Sequence, residues 1–313
     1  MSIIFGPIPS RRLGRSLGIN NIPHKVCSYS CVYCQIGLTD SMSVSRKEFY
    51  SAEEIFNEVS TKVEQLQKAG ERIDYLTFVP DGEPTLDINI GKEILELKTL
   101  RIKIAVITNA SMLWDEKVRE DLMNAEWVSV KIDTVDEEIW HKINRPNGKL
   151  KLQEILAGIK VFASSFTGEL VTETMLVRGI NDNIESIKKT AKLIKQINPE
   201  KSYILVPTRP PAEEFVEPPS EEYLNAVYQI FRSFLSNVEL LAYNEGSDFC
   251  YYSDAEKELL SILAVHPMRK DAVEVFIKKA GASNVLLYSL IESEKIKEVK
   301  YNNNVYYIKN LRR

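Results

Sequence analysis

The chain has 313 residues, of which 44% are apolar and 27% are charged, and its net charge at pH 7 is −4. These values are typical of a globular protein, and the length suffices for one large domain and one small domain. The sequence contains no run of about 20 apolar residues, and its N-terminus lacks the charged and apolar segments of a signal peptide. Four cysteines, three of them clustered, do not make a disulfide framework. We therefore expect a cytoplasmic protein without a membrane partner.

Short runs rich in β-branched residues alternate with amphipathic stretches through most of the chain. We expect a first strand at Leu17–Ile22 and helices at Ala52–Gln67, Ile184–Ile197 and Ser220–Leu235. Five further strands are expected at Asp74–Val79, Lys103–Thr108, Trp127–Asp133, Glu169–Val177 and Lys201–Val206. Repeated strand–helix units predict an α/β fold with a parallel sheet, here a partial (β/α)6 TIM-like barrel that is open on one side. In such barrels the loops at the C-terminal ends of the strands form the active site.

The pattern changes after residue 252, which divides the chain into a barrel at 1–252 and a small domain at 253–313. Three short helices are expected at Ala255–Leu263, Asp271–Lys279 and Asn284–Ser293, followed by a hairpin over Lys297–Lys309. This order resembles a winged-helix domain, and the segment carries 11 Lys and Arg against 8 Asp and Glu. Such domains bind DNA, RNA or peptides, or only pack against a neighbour.

Cys27, Cys31 and Cys34 follow the first expected strand with the spacing C-x3-C-x2-C. Three thiolates can hold three irons of a [4Fe–4S] cluster and leave the fourth iron open to a small molecule, whereas clusters that only carry electrons and structural zinc sites usually have four protein ligands. The alternative is a zinc knuckle that His24 or Cys250 completes.

The segment from Cys27 to Cys34, with the aromatic Tyr33 just before the third cysteine, resembles the cluster loop of the radical S-adenosylmethionine (SAM) superfamily. The resemblance implies a [4Fe–4S] cluster and SAM as cofactors, with the open iron chelated by the amino and carboxylate groups of SAM. One electron from the cluster would cleave SAM to methionine and a 5′-deoxyadenosyl radical, which abstracts hydrogen from a substrate. It further implies a reductant of the flavodoxin or ferredoxin type.

Gly82-Glu83-Pro84, after the second expected strand, resembles the GGEP element of the same superfamily, with Asp81 where the first glycine often stands. The resemblance implies that Gly82 lets the backbone approach SAM and that Glu83 or a nearby carbonyl accepts a hydrogen bond from the SAM amino group. Tyr33 would pack beside the adenine, or would only pack within its loop.

Polar residues at the ends of the next two strands complete the expected SAM site. Thr108 and Asn109 would bind the ribose hydroxyls or the methionine carboxylate, with a helix N-cap near Asp115 as the alternative. Strand alternation places Ser129, Lys131 and Asp133 on one side, which we expect to face the cavity together with Glu173. Lys131 would pair with the SAM carboxylate or with Asp133. No side chain is assigned a catalytic role from the sequence.

Residues 6–18, 144–146 and 207–211 resemble a branch of the superfamily that is grouped with the tRNA wyosine synthases. Those enzymes carry a second set of cluster cysteines, which this chain lacks, so we expect neither a second cluster nor the wyosine reaction. The branch implies a large substrate, foremost a tRNA base. The alternatives are a peptide or protein that the winged-helix-like domain captures, and a DNA-binding regulator that senses SAM or redox state.

Four basic residues without an intervening acid, Arg11, Arg12, Arg15 and Lys25, precede the cysteine loop. A basic strip at this place could bind the phosphates of a nucleic acid. The alternative is a set of charges that pair within the protein.

Overall fold

The computed structural model describes residues 3–242, 249 and 254–310. Its N-terminal part begins with an antiparallel hairpin of β1 (Ile4–Ser10) and β2 (Gly14–Ile19). Two short strands, β3 (Val26–Cys27) and β4 (Ser41–Met42), then pair with each other and bracket the cysteine segment. Six strands follow: β5 (Tyr75–Phe78), β6 (Lys103–Thr108), β7 (Trp127–Lys131), β8 (Glu169–Met175), β9 (Lys201–Leu205) and β10 (Val238–Leu241).

One eight-stranded sheet has the order β1–β2–β5–β6–β7–β8–β9–β10, and all its neighbours after β1 are parallel. Within the described residues, β1 and β10 are the edges of this sheet, so the barrel is open on one side. The six expected strands are confirmed as β2 and β5 to β9, with ends shifted by a few residues. The sequence analysis missed β1 and the seventh parallel strand, β10.

Seven helices surround this sheet in the described residues: α1 (Ala52–Lys68), α2 (Ile90–Leu97), α3 (Glu116–Leu122), α4 (Glu137–Asn144), α5 (Leu152–Ser165), α6 (Ile184–Ile197) and α7 (Glu221–Phe234). Two short 3-10 turns, Pro84–Leu86 and Lys98–Leu100, precede and follow α2. In α1 the hydroxyl of Ser51 caps the first turn by accepting from the N–H of Glu54. The buried stripe from Ile55 to Leu66 packs α1 on the sheet.

The concave face of the sheet is filled by large side chains near its N-terminal end. Trp127 and Tyr203 are buried there with Leu13 and Val171. Because side chains alternate along a strand, residues 129 and 131 share the face of Trp127, and residue 173 shares the face of Val171. Ser129, Lys131 and Glu173 therefore lie on the same face as this apolar cluster, nearer the C-terminal ends of β7 and β8.

The C-terminal unit, residues 254–310, consists of α8 (Ala255–Val265), β11 (Met268–Arg269), α9 (Lys270–Lys279), α10 (Val285–Glu292), β12 (Ile296–Tyr301) and β13 (Asn304–Lys309). Its strands form an antiparallel sheet in the order β11–β13–β12. The three expected helices and the hairpin are present, and β11 is an additional strand. The winged-helix assignment stays a prediction, and the expected boundary at 252/253 lies outside the described residues.

The C-terminal unit packs on the N-terminal hairpin. Phe5 and Ile8 of β1 belong to the same buried cluster as Leu263 and Phe276. The hydroxyl of Ser261 donates to the carbonyl of Ile4 at 3.1 Å. Shared apolar burial therefore holds the unit against β1. Within the described part of the chain, no helix is long and apolar enough to cross a membrane.

Candidate active site

Cys27 ends β3, and Cys31 and Cys34 lie in the loop between β3 and β4, beside the C-terminal end of α4. The N–H of Ser30 donates to the carbonyl of Asn144 at 3.0 Å, and the N–H of Val32 donates to the carbonyl of Ile143 at 3.0 Å. The N–H of Asn147 donates back to the carbonyl of Ser28 at 2.9 Å. Backbone contacts on both sides thus fix the cysteine loop without using its thiols.

Two side-chain amides approach the sulfur atoms. The Nδ2 atom of Asn109 lies 3.5 Å from Sγ of Cys27, and Nδ2 of Asn144 lies 3.4 Å from Sγ of Cys31. Hydrogen bonds to sulfur are one of the means by which a protein sets the reduction potential of an iron–sulfur cluster. Three thiols on one loop with two amide donors fit the ligand set of a three-cysteine [4Fe–4S] cluster.

Burial raises the pKa of all three thiols. For Cys31 the pKa rises to about 12, although the hydrogen bond from Asn144 lowers it in part. The pKa values of Cys27 and Cys34 are also raised by burial, and for Cys34 the charges of Lys25 and Lys131 act in the opposite direction. These thiols are neutral without iron, so cluster binding at this loop releases protons.

The alternative of a zinc knuckle requires His24 or Cys250 as a fourth ligand. His24 contacts Asp81 through Nδ1 and Oδ2 at 2.8 Å, and Cys250 lies outside the described residues. The ligand roles of the three cysteines stay predictions from their spacing.

The carboxylate of Glu83 is buried and joins the ends of β5 and β6. Its Oε1 atom accepts hydrogen bonds from the hydroxyls of Thr85 and Thr108, both at 2.6 Å, and its Oε2 atom accepts from the N–H of Asn109 at 2.8 Å. Burial raises the pKa of Glu83, and these donors lower it in part. The carbonyl of Pro84 accepts from Asn21 at 3.2 Å. Three residues assigned from the sequence, Glu83, Thr108 and Asn109, therefore form one network.

The alternative role of Thr108 and Asn109 as a helix cap is not what the structure contains. Asp115 itself caps α3 by accepting from the N–H of Lys117 at 2.9 Å. Asn109 instead donates to Ser28 at 2.9 Å, in addition to its contact with Cys27. It thereby links the end of β6 to the cysteine loop.

Gly82 is packed against the cysteine loop. A Cβ atom at this position would lie 1.9 Å from the carbonyl oxygen of Val26 and 2.8 Å from Cδ1 of Ile22. The N–H of Glu83 donates to the same carbonyl of Val26 at 3.1 Å. The backbone that Gly82 approaches in this structure is therefore that of β3, which leads into Cys27.

Ser129 and Lys131 both contact the carboxylate of Glu173. The hydroxyl of Ser129 donates to Oε1 of Glu173 at 2.8 Å, and Nζ of Lys131 lies 3.5 Å from Oε2. Arg12 forms an ion pair with the same carboxylate. The alternative in which Lys131 pairs with Asp133 is wrong in this structure, because its carboxylate partner is Glu173 on the neighbouring strand.

Asp133 instead accepts hydrogen bonds from Tyr33 and from the end of α4. The Tyr33 hydroxyl donates to Oδ2 of Asp133, which also accepts from Nδ2 of Asn144 at 2.8 Å. The Oδ1 atom accepts from the N–H of Met175 at 2.8 Å. The Nζ atom of Lys131 stands over the Tyr33 ring, 5.2 Å from its centre. These contacts fix Tyr33, and with it the cysteine loop, against the end of β7.

A central cavity of about 260 Å³ opens among these groups. Its wall includes Tyr33, Cys34 and Glu173, together with four cationic side chains: Arg11, Arg12, Lys131 and Arg209. Arg11 is exposed, whereas Arg15 pairs with Glu71 at 2.8 Å and Lys25 donates to the carbonyl of Leu38. The basic strip of the sequence is therefore divided, with Arg11 and Arg12 at the cavity and the other two paired elsewhere.

Gln35, the neighbour of Cys34, connects the cysteine loop to the C-terminal unit. Its Nε2 atom donates to the carbonyl of Val265 at 3.2 Å, and its Oε1 atom accepts from Arg209 at 2.6 Å. Arg209 also lies 3.1 Å from Nε2 of His266. The end of α8 is therefore seated directly beside the third cysteine.

The contacts of Asn144 and Arg12 in this arrangement were not predicted from the sequence. Asn144 had only the resemblance of residues 144–146 as a signal, and Arg12 was expected only to help bind phosphates as part of a basic strip. Asn144 is 113 residues from Cys31 in the sequence, and Arg12 is about 160 residues from Glu173. A single sequence does not show which residues so far apart will be in contact.

A family model described as the radical SAM superfamily matches residues 21–194, more than half of the chain. A UPF0026 protein of Methanocaldococcus jannaschii is 45% identical over 314 residues, which cover 100% of this chain and 97% of that protein. A protein of Thermotoga sp. (strain RQ2), named as a probable dual-specificity RNA methyltransferase RlmN, is 24% identical and covers 63% of this chain and 57% of its own length.

Solved structures resemble the chain at low sequence identity. A radical SAM methyltransferase from Sphaerobacter thermophilus has a TM-score of 0.55 and 15% identity, covering 72% of this chain and 66% of that one. The wyosine synthase TYW1 with a lysine–pyruvate adduct bound has a TM-score of 0.48 and 12% identity, and the match covers 95% of this chain and 80% of that one. The first of these likenesses shows the fold, a partial barrel.

The matched family segment contains the cysteine loop, the Glu83 network and the strands that carry Lys131 and Glu173. Sequence match, fold and the contents of the site thus agree. The chain belongs to the radical SAM superfamily of enzymes, whose cofactors are a [4Fe–4S] cluster and SAM.

Proposed function

We propose that this enzyme modifies a base of an RNA, foremost a tRNA, by radical chemistry. When bound, the cluster and SAM supply the superfamily's hydrogen-abstracting 5′-deoxyadenosyl radical, with electrons from a reductant that we propose to be of the flavodoxin or ferredoxin type. The observation that carries the proposal is the central cavity, which combines the cysteine loop with four cationic side chains and one acidic one.

The chain's own residues have separate tasks in this proposal. Cys27, Cys31 and Cys34 hold the cluster, and the amides of Asn109 and Asn144 donate to two of the sulfurs. The Glu83 network keeps the ends of β5 and β6 in register beside the loop. Gly82, Pro84, Ser129 and Asp133 position the backbone and side chains around SAM.

The cationic wall favours an anionic substrate. Within the described residues that line the cavity, Glu173 is the only acid, and Arg12 and Lys131 both contact it. Arg11, which is exposed, and Arg209 add positive charge to the same wall, and this charge suits the phosphates of an RNA. The RNA methyltransferase name of the Thermotoga relative supports the same substrate class.

The first experiment measures SAM cleavage by the reconstituted, dithionite-reduced enzyme under anaerobic conditions. We expect 5′-deoxyadenosine, formed faster when bulk tRNA is added. No cleavage with a full complement of iron would refute the radical reaction itself. Cleavage that RNA leaves unchanged would refute the RNA substrate while leaving the radical chemistry intact.

The second experiment compares nucleosides from the tRNA of a deletion strain with those of the wild type by mass spectrometry. We expect one modified nucleoside to disappear and its precursor to accumulate. An unchanged profile, together with peptide binding that is insensitive to salt, would point to a peptide or protein substrate held by the C-terminal unit.

A further inference from the structure

A second concave site, the side groove, has a volume of about 520 Å³ and lies between the end of β9, α7 and the turn of the C-terminal hairpin. Its size is that of a site for a small molecule or one large ring system. Its lining is mostly apolar and comes from the end of β9, the prolines before α7, one face of α7 and Tyr306 of β13. None of its described lining residues belongs to the cysteine loop.

One stripe of α7 forms the long wall of the side groove. Glu221, Leu224, Asn225 and Tyr228 follow one another at helical spacing and all line it. Leu224 is buried in the core, whereas Asn225 is exposed and Tyr228 is half-buried. Within the described part of the chain, the Asn225 amide makes no hydrogen bond. The helix thus presents a ring and an amide to the groove.

The opposite wall is held in place by hydrogen bonds from the hairpin. The hydroxyl of Tyr306 donates to the carbonyl of Thr208 at 2.7 Å, and that of Tyr301 donates to the carbonyl of Pro207 at 3.2 Å. Asn302 and Asn304 at the hairpin turn complete the polar lining. The C-terminal unit is therefore part of the side groove.

The charges of the two sites differ sharply. Glu221 is the only charged side chain among the described residues that line the side groove, whereas the central cavity has four cations. Within its described lining, the side groove offers no cation to bind a phosphate. A neutral planar ring could pack on Tyr228, and the hydrogen-bonding groups at its edge could contact the carboxamides of Asn225, Asn302 and Asn304.

The two sites share a wall. Val206, Pro207 and Thr208 line both, and the next residue, Arg209, lines the central cavity alone. Arg209 therefore places a positive charge one residue from the lining of the side groove. The segment 206–208 thus has a nearly neutral groove on one side and a cationic cavity on the other. A single strand of RNA has the same alternation, since each base is followed by a charged phosphate.

We propose that the side groove receives an unpaired base that flanks the nucleotide being modified. This inference rests on the proposed RNA substrate and adds a recognition site for it. The flanking base stacks on Tyr228 and its edge contacts the amides of Asn225, Asn302 or Asn304. The enzyme would then select RNA loops in which two bases are unstacked, the base being modified and the flanking base in the side groove.

The test uses the full-length holoenzyme and a fluorescein-labelled RNA stem–loop, with binding followed by anisotropy. Tyr228→Ala removes the ring, and Asn225→Ala changes an exposed position that the fold tolerates. Tyr288→Ala on α10 and Asn57→Ala on α1 are the matched controls, since both residues are exposed and lie outside the groove. We expect about tenfold weaker binding for Tyr228→Ala, a smaller loss for Asn225→Ala and none for the controls.

A double-mutant cycle then identifies the base. Abasic nucleotides are placed one at a time in the RNA loop and each RNA is measured with the wild type and with Tyr228→Ala. We expect one abasic position to weaken wild-type binding about tenfold and to have little further effect in Tyr228→Ala. SAM cleavage without RNA should be the same in all variants.

The outcomes separate this inference from the proposed function. Wild-type enzyme that fails to bind any RNA would refute both. RNA binding that is equal in the wild type and in both groove variants, or abasic effects that add to the effect of Tyr228→Ala at every position, would refute only the role of the side groove.

Discussion

The Nδ2 atom of Asn144 lies 3.4 Å from the sulfur of Cys31 and so connects the end of α4 to the cysteine loop. The same amide donates to Asp133, whose carboxylate also holds Tyr33. One side chain thus positions a sulfur, an aromatic ring and a strand end.

We expect Asn144→Ala to weaken cluster binding by about 10- to 100-fold, the usual effect of losing a partner of a metal ligand. The measurements are iron and sulfide content after gel filtration and the cluster's reduction potential, which should become more negative because a donor to sulfur is lost. Asn57→Ala, at an exposed helix position, is the control. Unchanged iron content and an unchanged potential would show that Asn144 is not a partner of the ligands.

Gly82→Ala should disturb the cysteine loop without unfolding the barrel. The added Cβ would stand 1.9 Å from the carbonyl oxygen of Val26, so β3 must move away from the end of β5. We expect loss of most of the bound iron with a nearly unchanged circular dichroism spectrum.

The control for this change is Gly148→Ala, because a Cβ at Gly148 has no atom within 4 Å and its backbone does not require glycine. If Gly82→Ala bound as much iron as Gly148→Ala, the close approach of the two backbones would be unimportant for the cluster.

Glu173→Ala should destabilise the fold more than Lys131→Ala does. Glu173 is buried and accepts from Ser129 while it pairs with Lys131 and Arg12, so its removal leaves two cations without their carboxylate. We expect a loss of about 3–5 kcal/mol in the free energy of unfolding, measured with urea, and less for Lys131→Ala. Equal losses in the two variants would mean that Lys131 is the only significant partner of Glu173.

Stability should also depend on pH through Glu93 of α2. Burial, and then the charge of Asp87, raises the pKa of Glu93 to about 9, although the amide of Asn21 lowers it in part. Between the ordinary pKa of a glutamate and about 9, the folded chain holds a proton that the unfolded chain has released. The free energy of unfolding therefore falls as pH rises, by up to about 1.4 kcal/mol per pH unit.

Urea unfolding of the wild type and of Glu93→Gln between about pH 6 and pH 9 measures this contribution, since the variant should lose part of the slope. Asn57→Ala, at an exposed position of α1, should keep the wild-type slope. Identical slopes in the wild type and Glu93→Gln would contradict the assignment.

The sequence predicted the strands well where both faces are buried and β-branched residues run together, as in Lys103–Thr108. It missed β1 because Gly6, Pro7 and Pro9 interrupt the pattern, although prolines are acceptable on an edge strand. It missed β10 because four residues at the opposite edge carry too little pattern.

The site was predictable as a set of residues but not as a set of contacts. Spacing located the cysteines, and the resemblance to the radical SAM superfamily located Glu83, Thr108 and Asn109 at strand ends that meet at one edge of a parallel sheet. The choice of Glu173 over Asp133 as the partner of Lys131 depends on how β7 pairs with β8. That register is a property of the folded sheet.

The contact between Gln35 and Val265 joins the neighbour of Cys34 to the end of α8, which lies 230 residues later in the sequence. A segment near the other end of the sequence therefore supports the cysteine loop. The rigidity of that loop is a property of the whole fold and not of the barrel alone.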